Sequence, residues 1–151
     1  MWNKDKSLFL SRVIVKVCYV LLAVSCFVAP VMVRYYDDAV NAALGLPSVF
    51  VPLLVTLYCA VPAAGAAIYC LDRLLTNISH EKLFINKNVS YLRIISWCCF
   101  IEAAVFIYFS CLKVFALMIV LAFAFLGLVL RIVKNVFQQA VSLREENDYT
   151  I

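Results

Sequence analysis

The stretch VFALMIVLAFAFLGLVLRI, residues 114–132, decides the fold class of this chain. Arg131 is its only ionisable residue. A helix needs about 20 consecutive, mainly apolar residues to cross the hydrocarbon core of a bilayer. This stretch therefore predicts a transmembrane helix.

Three further stretches have similar length and character: 13–33, 49–71 and 94–112. Of the 151 residues, 66% are hydrophobic and only 15% are charged, and a soluble domain of this size cannot cover so much apolar surface with so few charges. The sequence predicts an all-α integral membrane protein whose four transmembrane helices form a single domain, residues 1–151. A polar loop at 72–93 and a stalk and tail at 133–151 complete it.

The basic residues indicate the orientation of this domain. If successive helices alternate in direction, eleven of the thirteen Lys and Arg residues fall on one side and only Arg34 and Lys113 on the other. Lys and Arg accumulate in cytoplasmic segments of membrane proteins. Both termini, the 72–93 loop and the stalk are therefore expected in the cytoplasm. No dense basic run or aromatic platform accompanies the net charge of +4, so we expect no direct nucleic-acid binding.

Residue types that carry enzyme chemistry do not occur in the required patterns. The seven cysteines lie within or at the edge of apolar stretches, with no C-x-x-C pair and no histidine cluster. Free cysteine behaves there as a small buried hydrophobe, which predicts neither disulfides nor a metal site. No nucleophile and base pair or glycine-rich phosphate loop is present. We expect no enzymatic activity and no cofactor.

The connection after the first stretch has the pattern of a short helix. Asp37 and Asp38 precede the run Ala39–Leu44, and Gly45 and Pro47 follow it. Acidic residues favour a helix start and glycine favours a helix stop. The pattern predicts a separate helix of about two turns on the outer surface.

The second stretch contains the small-residue run AVPAAGAA, residues 60–67. Small residues at four-residue spacing allow a neighbouring helix to approach closely, and Pro62 is expected to bend the helix. The packing partner can lie in the same chain or in a second copy, since either satisfies the spacing. A substrate passage through a broken helix is the less favoured reading, because no polar cluster accompanies the run.

The second and fourth helices both end on the expected cytoplasmic side, and their apolar patterns continue beyond the membrane. Leu71, Leu74, Leu75 and Ile78 keep helical spacing, and Asn86 is a candidate N-cap for the helix that leads into the third stretch. The segment 133–143 keeps helical spacing after the fourth stretch.

The tail and the 72–93 loop carry opposite net charges, −2 and +2. Glu145, Glu146 and Asp148 stand at the end of a predicted helix, where the helix dipole favours cations. We therefore expect either that the tail docks on the loop or that both bind one partner.

Glu102 is the one acidic residue deep in an apolar stretch. An ionisable group at that depth is a functional candidate. The most specific functional hypothesis is proton-coupled transport, in which the carboxyl group exchanges a proton for a substrate. The alternative is structural: a protonated side chain that hydrogen-bonds a neighbouring helix, or one paired with Lys16. Lys16 itself is most simply a lysine whose ammonium reaches the cytoplasmic interface.

Three polar blocks carry a resemblance to a known family. They are LLTNI (74–78) followed by Phe84, NVSYLRII (88–95), and the ending LREENDYTI (143–151). These blocks and the four-span layout resemble the bacterial membrane family catalogued as domain-of-unknown-function family 2975, over nearly the whole chain. The resemblance implies no activity. Members of that family are often encoded beside a small helix-turn-helix regulator, which suits a membrane protein whose patterned polar surface is cytoplasmic.

These observations give a leading hypothesis: a regulatory platform in the bacterial cytoplasmic membrane for a soluble partner such as a small transcription regulator. The residues expected to carry recognition are Asn77, Phe84, Asn88, Arg93, Arg144, Glu145, Glu146, Asn147 and Asp148. Alternatively, these residues only cap helices and tie the tail to the loop. The other functional readings are a small transporter or transporter subunit, which works as a homo-oligomer through Glu102, and a structural assembly protein.

Overall fold

The structure, a computed structural model, describes residues 4–45, 47–80 and 85–148. Four helices account for nearly all of them: α1 (Lys4–Leu44), α2 (Phe50–Ser79), α3 (Asn86–Ser110) and α4 (Ala116–Asp148). Each is long and apolar enough to cross a membrane, and the described residues include no strand. The predicted all-helical class with four membrane-spanning helices is confirmed, and much of the chain's surface contacts lipid.

The helices form an open row rather than a closed bundle. α1 packs on α2, α2 on α3, and α3 on α4. Within the described ranges, no Cα atom of α1 comes within 8 Å of α3 or α4, and none of α2 comes within 8 Å of α4. α3 is the most buried helix, and α1, at the edge of the row, is the least buried. A concave side therefore remains between the two edge helices.

α3 and α4 approach each other closely at Gly127. The Ser96 hydroxyl donates a hydrogen bond to the Gly127 carbonyl at 2.8 Å. A Cβ atom at Gly127 would lie only 3.1 Å from two ring carbons of Phe100, so glycine permits this close approach. Farther along the pair, the rings of Phe106 and Phe123 stack with centroids 6.2 Å apart.

α1 and α2 are joined by a hydrogen bond that a proline makes necessary. Pro30 lies inside α1 and has no backbone N–H, so the carbonyl of Cys26, four residues earlier, loses its usual helical donor. The Tyr58 hydroxyl of α2 donates to this carbonyl at 2.8 Å. One turn farther along, Leu22 lies 3.8 Å from the position of a Cβ atom at Gly65, which is ordinary van der Waals contact.

The prediction of a separate short helix after the first stretch is wrong, because the segment 39–44 belongs to α1. α1 continues without a break through Asp37 and Asp38 to Leu44, since no glycine or proline stands between Val33 and Ala39 to end it. The helix stops at Gly45, whose φ of 61° is left-handed and whose N–H bonds the Asn41 carbonyl at 3.0 Å.

Asp37 therefore starts no helix, and its side chain bonds the residues that precede α2 instead. Its carboxylate accepts hydrogen bonds from the Ser48 hydroxyl at 2.6 Å and from the Val49 N–H at 2.8 Å, directly before α2. These bonds hold the pKa of Asp37, which lies beyond the apolar stretch 13–33, below its ordinary value.

Only Lys113 separates the apolar stretches 94–112 and 114–132, which predicts a tight hairpin, and the structure confirms it. Only five residues, 111–115, separate α3 from α4. The backbone N–H groups of Leu112 and Lys113 both bond the Phe109 carbonyl at 3.0 Å. Little of α3 and α4 therefore extends past their apolar stretches at this hairpin.

The helices at the other end extend past their apolar stretches, as the spacing predicts. α2 runs to Ser79 and α4 to Asp148, which makes α4 about 50 Å long, against a hydrocarbon core of about 30 Å. The N-cap prediction for Asn86 is wrong by one residue. Ile85 occupies that position, and Asn86 is the first helical residue.

We predict that Tyr58→Phe destabilises the protein and that the cost depends on Pro30. The variant leaves the Cys26 carbonyl without a donor, at a cost of about 0.5–1.5 kcal/mol in the free energy of unfolding. In a Pro30→Ala background, the backbone N–H of residue 30 can satisfy that carbonyl, so the same change should cost less. Chemical unfolding of all four combinations in detergent gives the coupling energy. Equal costs in both backgrounds would contradict this account of the hydrogen bond.

Candidate functional site

The residues predicted to bind a partner lie at one end of the row, which we call the basic end. It comprises the C-terminal part of α2, the N-terminal part of α3 and the C-terminal part of α4. Asn77 stands in α2, Asn88 and Arg93 stand in α3, and 144–148 end α4. Phe84 lies outside the described residues, and so does the side chain of Asp148.

Asn77 and Asn88 form a hydrogen bond between α2 and α3. The Asn77 amide nitrogen donates to Asn88 Oδ1 at 2.7 Å. Asn88 is 0% exposed and lies beside the buried side chain of Val89. In this conformation Asn88 therefore does not present a surface to a partner, and it ties the two helices together instead.

A second side-chain hydrogen bond joins the start of α3 to the end of α4. The Asn86 amide nitrogen donates to Glu145 Oε1 at 3.0 Å. One turn before Glu145, Val141 is only 3% exposed, so the last part of α4 packs against the rest of the protein. The tail and the start of α3 thus form one surface, on which Arg144, Glu146 and Asn147 are exposed.

Arg93 lies apart from the tail, in a pocket of about 200 Å³ between α3 and α4. The pocket is lined by Arg93, Ser96, Trp97, Arg131 and Lys134. The guanidinium carbon of Arg131 lies 5.6 Å from the centre of the Trp97 ring, a cation–π geometry. The charge on Arg93 therefore belongs to a cationic cluster rather than to a contact with the acidic tail.

A larger cleft of about 490 Å³ occupies the concave side of the row within the membrane-spanning part. Its walls come from all four helices, and its floor includes the small residues Ala60, Ala63, Ala64 and Ala67 of α2. Most of the small-residue run therefore borders open space, while Gly65 faces Leu22 of α1. Within one chain, this run forms a cleft as much as a packing face.

Glu102 is the acidic residue that lines this cleft. The side chain is 5% exposed, and its carboxyl group lies against the backbone of Ala64 in α2. Its Oε1 atom is buried and has no hydrogen-bond partner. A buried polar atom without a partner is costly, and in a membrane no water offsets that cost.

Lys16 does not reach this carboxyl group. It is exposed on α1 and does not line the cleft. Leu22, which faces Gly65 beside Ala64, lies about 9 Å farther along the helix than Lys16. The pairing of Lys16 with Glu102, one alternative from the sequence, is therefore not formed in the structure.

The geometry limits what the cleft can do chemically. A ligand that fills it must be mainly apolar, because Glu102 and Ser25 are among the few polar side chains that line it. The Ser25 hydroxyl already donates to the Leu22 carbonyl at 2.8 Å. Among the described residues of this lining, the Glu102 side chain supplies the one carboxyl group, which can take up or release a proton.

Sequence reasoning missed three contacts that shape these sites. The sequence pattern predicts a cap role for Asn86 rather than a contact with Glu145, and it predicts no contact for Tyr58 or for the Trp97–Arg131 pair. Pro30 is a signal for the Tyr58 contact, because a proline inside a helix always frees a carbonyl four residues earlier. The other two contacts join different helices, and spacing along one helix does not predict them.

The comparisons with known proteins identify a family but no activity. A family model described as "Protein of unknown function (DUF2975)" matches residues 38–151, which is more than half of the chain. No curated protein and no solved structure matches the chain.

We predict that Glu102→Met makes the protein more stable. Methionine has a similar volume, and the change removes a buried oxygen that lacks a partner, which should raise the free energy of unfolding by about 1 kcal/mol or more. Glu102→Gln keeps a polar group in place and should give no such gain. Ile101→Met, on the exposed face of α3, is the matched control. A less stable Met variant in detergent unfolding would mean that the carboxyl group has a stabilising partner.

Proposed function

This chain belongs to the family described as "Protein of unknown function (DUF2975)", and from that premise we propose that it is a membrane-embedded binding platform for a soluble regulator. One observation carries the proposal. The hydrogen bond between Asn86 and Glu145 joins the start of α3 to the end of α4, so the loop end and the tail form one surface.

The distribution of polar residues favours the basic end as the binding surface. At the opposite end, short connections close the row, and the part of α1 after residue 33 is the main segment outside the apolar stretches. At the basic end, the hydrogen bond between Asn77 and Asn88 holds α2 to α3, and the Asn86–Glu145 bond holds α3 to α4. A surface ordered in advance loses less conformational entropy when a partner binds.

The chemistry of the tail points to a basic partner. Glu145, Glu146 and Asp148 stand at the C-terminal end of α4, where the helix dipole already carries partial negative charge. A cationic surface placed there gains attraction from both sources. Helix-turn-helix regulators carry such a surface because they bind DNA phosphates with Lys and Arg. A regulator held by this surface would be kept from DNA.

The excess of Lys and Arg at the basic end supports a cytoplasmic orientation, which the proposal requires. In this orientation both termini lie in the cytoplasm, where a transcription regulator is found. The resemblance to a family encoded beside small helix-turn-helix regulators supports the same class of partner.

We predict that a soluble partner is lost when the tail is removed. The intact chain and a chain truncated after Ser142 are expressed at equal levels, crosslinked in native membranes and purified. A helix-turn-helix protein recovered only with the intact chain is the expected result. Glu145→Lys combined with Glu146→Lys should also lose it, because the reversal replaces attraction with repulsion.

The matched control for charge reversal is Asp38→Lys. Asp38 is exposed and lies near the C-terminal end of α1, at the end of the row opposite the basic end. This variant should retain the partner. Recovery of the same soluble proteins with the intact and truncated chains would contradict the platform.

A second candidate function is proton-coupled transport, and the unpartnered Glu102 Oε1 favours it. Glu102 lines a cleft to which all four helices contribute, and intramembrane carboxyl groups commonly mark proton or substrate pathways. This function needs Glu102 and not the tail, whereas the platform needs the tail and not Glu102.

The two candidates are separated in proteoliposomes that contain a pH-sensitive dye. If Glu102 transfers protons, Glu102→Gln should abolish proton flux under an imposed pH gradient, because an amide cannot exchange a proton. Cys99→Ala, which changes a neighbouring residue of the cleft, should retain the flux. Absence of flux above that of empty vesicles in the intact protein, or equal flux in the Gln variant, would contradict transport.

A further inference from the structure

The pocket between α3 and α4 at the basic end contains three cationic side chains. Arg93 comes from α3, and Arg131 and Lys134 come from α4. Ser96 and Trp97 complete the lining, so no carboxylate borders the pocket. Two packed helices thus bring three positive charges to one small space.

Like charges held this close repel one another unless an anion lies between them. The remaining groups of the pocket do not supply one. The Ser96 hydroxyl donates to the Gly127 carbonyl, and the Trp97 ring contacts Arg131 through its face. The cluster therefore has the composition of an anion-binding site, and guanidinium groups favour phosphate in particular.

The position of the pocket indicates the source of this phosphate. Arg93 precedes the apolar stretch 94–112, and Arg131 stands at the end of the stretch 114–132, so the pocket lies where both spans meet the membrane surface. Trp97 is 54% exposed there, as is common for tryptophan at membrane interfaces. A free anion would approach from water, whereas a headgroup phosphate already lies at this depth.

An apolar surface continues from the pocket towards the centre of the membrane. Ile94, Trp97 and Ile101 follow one another at helical spacing on α3, and all three are exposed. Leu128, one turn before Arg131 on α4, is also exposed. Such a surface can accommodate the acyl chain of a lipid whose phosphate lies in the pocket.

We propose that this pocket binds the phosphate of an anionic phospholipid, with Arg93, Arg131 and Lys134 as its ligands and Trp97 at the headgroup boundary. Basic pockets between transmembrane helices on the cytoplasmic side recognise such headgroups. Neither Glu145 nor Glu102, on which the two candidate functions depend, borders the pocket.

Trp97 fluorescence provides the test. The chain has two tryptophans, so Trp2→Phe leaves Trp97 as the only one. The full-length protein with this change is reconstituted in phosphatidylcholine vesicles, and its quenching by brominated phosphatidylglycerol is compared with that by brominated phosphatidylcholine. We expect the anionic lipid to bind at least about fivefold more tightly, the equivalent of one or more charge contacts at the membrane surface.

Two matched pairs of substitutions separate the pocket from the general charge of the basic end. Arg131→Gln with Lys134→Gln removes two pocket charges and should abolish the preference. Arg73→Gln with Lys87→Gln removes two exposed charges from the same end, outside the pocket, and should retain it. If the pocket pair does not fold, Lys134→Gln alone should lower the preference by about fivefold.

Four outcomes would overturn the proposal. They are equal quenching by the two lipids, an unchanged preference in the pocket variants, an equal loss in the control pair, and abolition of the preference by inorganic phosphate at constant ionic strength. The last outcome would identify a soluble phosphate, rather than a lipid, as the ligand.

Discussion

The exclusion of water from the hydrocarbon core is the constraint on which this structure depends. Every backbone N–H and C=O in a span must find its partner in the protein, and a helix supplies nearly all of them. Pro30 breaks that pattern in α1, because it leaves the Cys26 carbonyl without a donor. The Tyr58 hydroxyl of α2 replaces the donor, so one interhelical hydrogen bond fixes the position of α1 along α2. That position in turn sets which part of α1 forms a wall of the cleft.

The open row explains why a carboxyl group and a cleft occur together. Each edge helix has one close neighbour, and the close approach at Gly127 holds α4 against α3 rather than against α1. In a closed bundle, large side chains would fill the centre. Here the alanines of α2 leave space instead, and Glu102 projects from α3 beside them. The buried Oε1 atom without a hydrogen-bond partner is the cost of this arrangement.

The fold follows from the sequence where the signal lies along one helix. Hydropathy predicts the four helices, spacing predicts that α2 continues past its apolar stretch, and the single residue Lys113 between two apolar stretches predicts the hairpin between α3 and α4. The prediction of a separate helix after Asp37 is wrong, because acidic residues that start helices are also tolerated inside them. The sequence predicts the candidate sites less well than the fold. Spacing places Arg93 beside Trp97 on α3 and Arg131 beside Lys134 on α4, but it does not reveal that these two faces meet.

The pairing of α3 with α4 connects the proposed lipid site to the proposed platform. Both lie on this helix pair at the basic end, and Arg93 is about 10 Å along α3 from Asn86, which bonds Glu145. Without an anion, the cations of the pocket repel one another across the α3–α4 interface, and that repulsion opposes the packing on which the Asn86–Glu145 contact depends. A headgroup phosphate between the cations replaces this repulsion with attraction. A lipid in the pocket would therefore favour the helix arrangement that presents the acidic tail. The composition of the membrane would thereby influence how firmly the platform is held, through charge at one interface and without any movement of the cleft.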